Sequence, residues 1–421
     1  MSVNAPLAGL RVVEVSMLGP AAITSSLVDL GADVVKVEPP SGDYVRHMTW
    51  PIVQGISLMH LHVNRGKRSV VLDLRNDEAK EVFRDLADAA DVVVEAMRPG
   101  ALERLGLGPR ILRQRHSKLV FATISGYGAT GPYRNYPSHG IAYDTWAGVV
   151  TPAIDDDGFC RIPEHVSIGI NAAPLYGALA ILAAVIRARE TGDGAELELA
   201  QSDCAAAFDW YRSETYRAYR RPAEEVTGNA TDDYERRPPA TAGMRDGVRY
   251  QIYASKDGYV LFMASEQEFW RNFCVGIGRM DLFERWPGSR YADHARGNRE
   301  LQTSLRDIFA ARTTAEWLEF GGHVNTPIAP VNTPATLPDD MQFQARLNWL
   351  PSAGLGADQL PFPVHFIDEQ LPVPHRAPTA GQHTDTVLQD ICGYDDSRLT
   401  ALRNAGALGP LTTADSPASA T

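Results

Sequence analysis

One loop carries the side chains best suited to acid–base work. Residues 126–140, GYGATGPYRNYPSHG, end in Ser138, His139 and Gly140, and Asp144 follows just over one helical turn later. An imidazole that titrates near neutrality suits a general base. Ser138, His139 and Asp144 are not a serine-hydrolase set, because no strand–GxSxG–helix context surrounds them. Asp144 reads as a solvated or helix-capping carboxylate, with orientation of His139 as the alternative. His323, His365, His375 and His383 are scattered without i, i+4 pairing, and His383 reads as a helix start with Thr384 as an alternative cap. Asp155–Asp156–Asp157–Gly158 lacks the spaced glutamate of an EF-hand and reads as a solvated turn. The four cysteines, Cys160, Cys204, Cys274 and Cys392, form neither a CxxC pair nor a zinc or disulfide spacing. No metal site is expected.

The elements that must position these groups begin at residues 10–46, LRVVEVSMLGPAAITSSLVDLGADVVKVEPPSGDYVR. Leu10–Val15 reads as a buried strand, Ala21–Leu30 as a helix stopped by Gly31, and Asp33–Glu38 as a second strand. This βαβ unit implies a parallel sheet with a right-handed crossover, and its first loop lies at the carboxyl edge where open α/β folds bind ligands. The loop is neither GxGxxG nor a Walker motif, so spacing alone names no nucleotide. A basic turn, Asn64–Lys67, precedes a strand at Ser69–Leu74. A helix at Asp77–Ala90 and strands at Asp91–Glu95 and Leu119–Ser125 extend a doubly wound sheet. Pro174–Arg189 reads as a strongly apolar helix, closed by residues 191–194, and a strand leading into a helix follows in AELELAQSD. Residues 212–249 are polar, charged and broken by Pro–Pro, the composition of a linker. Tyr250–Ala264 is a hairpin opening a second domain. Helices are expected near 266–276, 314–320, 335–350 and 381–391, and the tail from 410 to 421 has a disordered composition.

At 421 residues the chain suggests two domains, and its 44% hydrophobic content allows a large core. A net charge of −12 argues against nucleic-acid and anionic-membrane partners while leaving room for a local basic pocket. No basic region followed by an apolar core opens the sequence, and Ala172–Ile186 is short for a bilayer span, so a cytoplasmic protein is expected.

Several motifs taken together resemble the family III CoA-transferases, the CaiB/BaiF family that also includes α-methylacyl-CoA racemases. They are LRVVEVSMLGPAA with LGADVVKVEPPSGDYVR, NRGKRSVVLDLR, DVVVEAMRPGALERLGLG, ATISGYGATGPY, LAAVIRARETGDGAELELAQSD, SKDGYVLFMA, NTPIAPV and APTAGQHTDTVL. The resemblance runs from Leu7 to near Leu399. It implies an α/β fold: a large Rossmann-like domain with a parallel sheet (1–211 and, after a small α+β domain at 250–334, 335–409), in an interlocked homodimer. It also implies acyl-CoA and carboxylic acid substrates and no tightly bound cofactor. The CoA-binding positions it marks are Met17, Leu18, Leu72, Arg75, Ala96, Met97, Arg98, Ala101 and Arg104. The physical case for the arginines is separate, since a guanidinium fork matches phosphate oxygens and Arg75, Arg98 and Arg104 fall in successive sheet-edge loops. Pro39 and Pro40 stand where transferases often place a basic residue.

In the family's transferases an aspartate attacks the thioester, becomes a mixed anhydride and releases CoA thiolate, which re-forms a thioester on the second acid. The matching stretch here, Gly169–Ile170–Asn171, holds no acid. Glu164 is the nearest carboxylate, and Asn171 could offer an N–H to a thioester oxyanion. His139 lines up with the racemase histidine that removes an α-proton, with Gly140 in place of the acid that follows it there. Transfer of CoA is therefore the first expectation. An isomerase using His139 is the second, and a non-catalytic CoA-ester-binding protein, or a partner subunit whose relative supplies the aspartate, is the third. Gly243–Gly247 falls where transferases carry a glycine-rich lid.

Overall fold

The computed structural model describes residues 5–48, 51–228, 236, 244–290 and 293–409. The tail from 410 and Gly243 of the expected lid lie outside them. Two compact units form, one from residues 1–209 with 347–421 and the other from 210–346.

The first unit is built on a six-stranded, wholly parallel sheet. Its strands are β1 (Arg11–Val15), β2 (Asp33–Glu38), β3 (Arg68–Val71), β4 (Val92–Glu95), β5 (Val120–Ser125) and β6 (Ala195–Ala200). In space they run β3-β2-β1-β4-β5-β6, with Val12 opposite Val34 on one side and Val92 on the other. The order reverses between β1 and β4, which opens a crevice at their carboxyl ends.

Successive strand residues point to opposite faces. Val12, Val34, Val92 and Ile124 therefore face one core with Ile23 and Leu27 of α1 (Ala21–Asp29). Val13, Val35, Val93 and Phe121 face another with Phe83 and Leu86 of α2 (Asp77–Asp88). Full burial of each such side chain contributes about 1.5–3 kcal/mol. Leu388, Leu399 and Leu402 complete the second core from helices Thr384–Cys392 and Asp396–Asn404. Gly31 ends α1 at φ +97, and a Cβ there would fall 2.3 Å from the Ala5 Cβ, so this turn requires glycine. Next come α3 (Ile141–Trp146), α4 (Ile168–Thr191) and α5 (Gln201–Phe208).

Two expectations change, on α4 and on the linker, and one turn is buried in a way its charge did not indicate. Helix α4 begins at Ile168 rather than Pro174, and Pro174 lies inside it, where its missing N–H leaves the Ile170 carbonyl without its helical partner. At 24 residues α4 is also long and apolar enough to cross a bilayer, yet Gly177, Ala178, Ile181 and Val185 pack inward. The basic turn Asn64–Lys67 is largely buried: Asn64, Arg65 and Lys67 are all covered. Finally, helix Trp210–Ala218 occupies the start of the expected linker, a stretch with no glycine or proline before Pro222.

The second unit pairs strands Tyr250–Ala254, Tyr259–Met263 and Ile328–Pro330 antiparallel. Trp270, Phe273, Phe309 and Trp317 form its aromatic core, with Phe309 and Trp317 centroids 4.7 Å apart. Helix Thr314–Val324 starts with a Thr313–Glu316 capping box.

Candidate active site

A cavity of about 570 Å³ fills the crevice at the carboxyl edge of the sheet, within the roughly 300–1,000 Å³ usual for small-molecule sites. Its wall is made by successive loops: Ser16 and Met17 after β1, Pro39 to Ser41 after β2, Leu72 to Arg75 after β3, and Ala96 and Met97 after β4. Of the positions marked by resemblance, Met17, Leu72, Arg75, Ala96 and Met97 meet here. Leu18, Arg98, Ala101 and Arg104 are not part of the wall. Arg98 and Arg104 are exposed, and Arg75 is exposed with its guanidinium 2.7 Å from Asp73. Leu18 adopts φ +59, a left-handed conformation that costs a non-glycine residue about 1–3 kcal/mol. The strain lies in the loop between the cavity and the start of α4.

Charge buried in the sheet supports this wall. Glu14 of β1 is fully covered and bridges Lys36 of β2 at 3.2 Å and Lys67 at 2.7 Å. Ser16 donates a 2.8 Å hydrogen bond to the Glu14 carboxylate, and Thr24 donates to its other oxygen. Burial alone would raise the Glu14 carboxyl, but Lys67 and Lys36 hold it down at about 2. Burial lowers Lys67 to about 8 against the pull of Glu14. Lys36 also reaches Asp43 at 3.2 Å, and Arg46 binds Glu38 at 2.7 Å beside the cavity. The sequence hinted at this network through charged residues inside valine-rich strands, VVEV and VVKVE, which the strand reading passed over.

Glu95 ends β4 one residue before the cavity wall. It is buried and accepts the Met97 N–H at 3.0 Å. Burial raises its carboxyl to about 7, against the Met97 and Thr123 hydrogen bonds.

The expected catalytic residues do not converge. His139, Glu164 and Asn171 are exposed, and Asn171 gives its carboxamide N–H to the Ser167 carbonyl at 2.6 Å. Asp144, expected as a solvated or locally capping group, is instead completely buried. From α3 its Oδ1 accepts the Gly169 N–H at 2.7 Å, capping α4 from another element. Its Oδ2 lies 3.6 Å from Nε2 of His165, and among the described residues neither of these buried atoms has a hydrogen-bond partner. An unpartnered buried acceptor costs about 1–3 kcal/mol. Ile170 stands in the first turn of α4 against the loops: a Cβ on Gly19 would fall 3.2 Å from the Ile170 Cβ, and one on Gly140 3.8 Å from its Cγ2.

Residues 7–384 match the model of CoA-transferase family III. A probable fatty acyl-CoA transferase of Mycobacterium tuberculosis is 30% identical over 91% of this chain and 97% of its own. A succinyl-CoA:(R)-benzylsuccinate CoA-transferase subunit of Thauera aromatica is 30% identical over 94% of this chain and 97% of its own. The crystal structure of a CaiB/BaiF family protein from Brucella suis superposes with a TM-score of 0.74 at 28% identity, covering 92% of this chain and all of the other. With a parallel sheet, a crevice at its strand reversal and a family match over most of its length, the chain is a member of CoA-transferase family III.

Proposed function

We propose that the protein moves CoA from an acyl-CoA thioester to a carboxylic acid, with the CoA ester held in the cavity at the carboxyl ends of β1–β4. The observation that carries this reading is the meeting of Met17, Leu72, Arg75, Ala96 and Met97 in one cavity of suitable size. The wall is mostly apolar, which suits a pantetheine arm. Arg98 and Arg104 lie exposed on the same edge, where they are open to phosphates, and Arg75 in the cavity wall is held by Asp73. The reaction exchanges one thioester for another and needs neither a metal nor a redox cofactor.

The active form in this reading is a cytoplasmic interlocked homodimer. Its support is the outward face of α4, where Leu175, Leu179 and Ile186 are each about 60% exposed or more. An apolar face of this kind marks an interaction surface.

The test is to incubate the protein in deuterated water with several acyl-CoAs and a mixture of carboxylic acids, following all CoA esters by mass spectrometry. A new CoA ester supports transfer. Deuterium gained at the α-carbon of an unchanged ester instead points to proton chemistry at His139 and overturns the transferase reading.

A further inference from the structure

We propose that Asp144 is the carboxylate that takes the acyl group during transfer, reaching from α3 to the start of α4, where Ile170 offers none. The inference rests on the CoA-transfer reading. Four observations carry it.

The first is place. Oδ1 of Asp144 accepts the Gly169 N–H at 2.7 Å, so the carboxylate sits at the positive end of α4, one residue from Ile170. Gly169 makes the room, since a Cβ there would lie 3.3 Å from that oxygen and 2.9 Å from the Tyr143 Cβ. The second is continuity with the cavity. Ile170 packs close to Gly19, where an added Cβ would fall 3.2 Å from the Ile170 Cβ, and Met17, in the same loop, lines the cavity.

The third is an oxygen left unused. Oδ2 is buried without a hydrogen-bond partner and faces His165 Nε2 at 3.6 Å. His165 Nδ1 is 3.1 Å from the Pro163 carbonyl, which can only accept, so Nδ1 carries the hydrogen. Among the described residues Oδ2 receives no hydrogen bond from that ring or from any other group. The fourth is access. Asp144 is covered in this conformation, and part of its cover is a single side chain, His165, 19% exposed on the segment leading into α4. The transfer in this proposal requires that ring to swing aside from Oδ2.

The chemistry balances without a proton donor or oxidant. Oδ2 attacks the thioester carbonyl, a C–O bond forms, the C–S bond breaks, and its electron pair leaves on the CoA sulfur. The thiolate attacks the Asp144 carboxyl carbon and expels the donor acid as a carboxylate. The acceptor carboxylate then displaces the thiolate from Asp144, and the thiolate takes the acceptor's acyl carbon, returning the free aspartate.

The full-length protein is incubated with succinyl-CoA, acetyl-CoA or palmitoyl-CoA and mixed carboxylic acids, with and without hydroxylamine, and its peptides are mapped. The expected result is CoA exchange with at least one of these esters and a hydroxamate on Asp144. Asp144→Asn retains an oxygen for the Gly169 N–H and should lose exchange by about a thousandfold or more. Adding Ile170→Asp to that variant should recover part of it. A hydroxamate on Glu164 or another acid, with exchange intact, overturns the role of Asp144 and leaves transfer standing. No exchange and no hydroxamate with any of the three esters overturns both. If Asp144→Asn does not fold, the hydroxamate position in the unmodified chain decides alone.

Discussion

Glu95 gives a pH dependence that can be worked out in advance. Its carboxyl is raised by burial from an ordinary 4.5 to about 7. Between those values the folded protein holds a proton that the unfolded chain has released. Stability therefore falls as pH rises through this window and levels off above about 7. At about 1.4 kcal/mol per pH unit the whole window is worth about 3 kcal/mol. Glu95→Gln keeps an oxygen for the Met97 N–H, now 3.0 Å away, and removes the ionisation. The variant should match the parent near pH 4 and exceed it by up to about 3 kcal/mol at pH 8. Urea denaturation at both values, with protein concentration held fixed, reads the difference. An Asp144→Asn control reports whether any buried carboxylate gives the same pH profile. Parallel profiles for Glu95→Gln and the parent would refute the reasoning, since the penalty would then not come from this carboxyl.

Other outcomes follow from the same geometry. Lys67→Met leaves the buried Glu14 with only Lys36 and should cost about 3–5 kcal/mol in chemical denaturation. Gly169→Ala pushes a methyl group against Tyr143 and Asp144 and should cost about 1–3 kcal/mol, read as a lower melting temperature. Ala96→Trp narrows the cavity and should raise KM for the acyl-CoA about tenfold or more, a loss of at least about 1.4 kcal/mol of binding. Leu179→Glu places a charge on the exposed face of α4, and if that face is the proposed dimer contact, sedimentation should show a smaller share of assembled dimer than in the parent.

The local parts of the fold were legible because their signals are local. Valine runs and a glycine stop placed β1, α1 and β2 to within a residue. The strand order was not legible from spacing, because it depends on which edge each new strand joins. Pro174 misled the reading of α4, since the rule that prolines open helices hid six earlier residues that the core and Asp144 hold helical. Asp144 itself looked like a surface group because its partner, Gly169, lies 25 residues away. Glu14 and Lys36 were each visible as a charge within an apolar strand. Only the parallel register, which sets them side by side, shows why they are tolerated there.

The closing of the sheet's second face by the last helices has a consequence for how the chain is made. Leu388, Leu399, Leu402 and Leu408 pack with Val13, Val93 and Phe83, residues laid down hundreds of positions earlier. During synthesis the amino-terminal strands leave the ribosome long before these lids exist. Residues 210–346, a contiguous unit, can complete their own core while that face of the sheet is still bare. The nascent chain thus spends most of its translation time with a sticky apolar surface, the interval in which a chaperone would be most needed. A stop codon a few codons before Leu388 would leave that face permanently open.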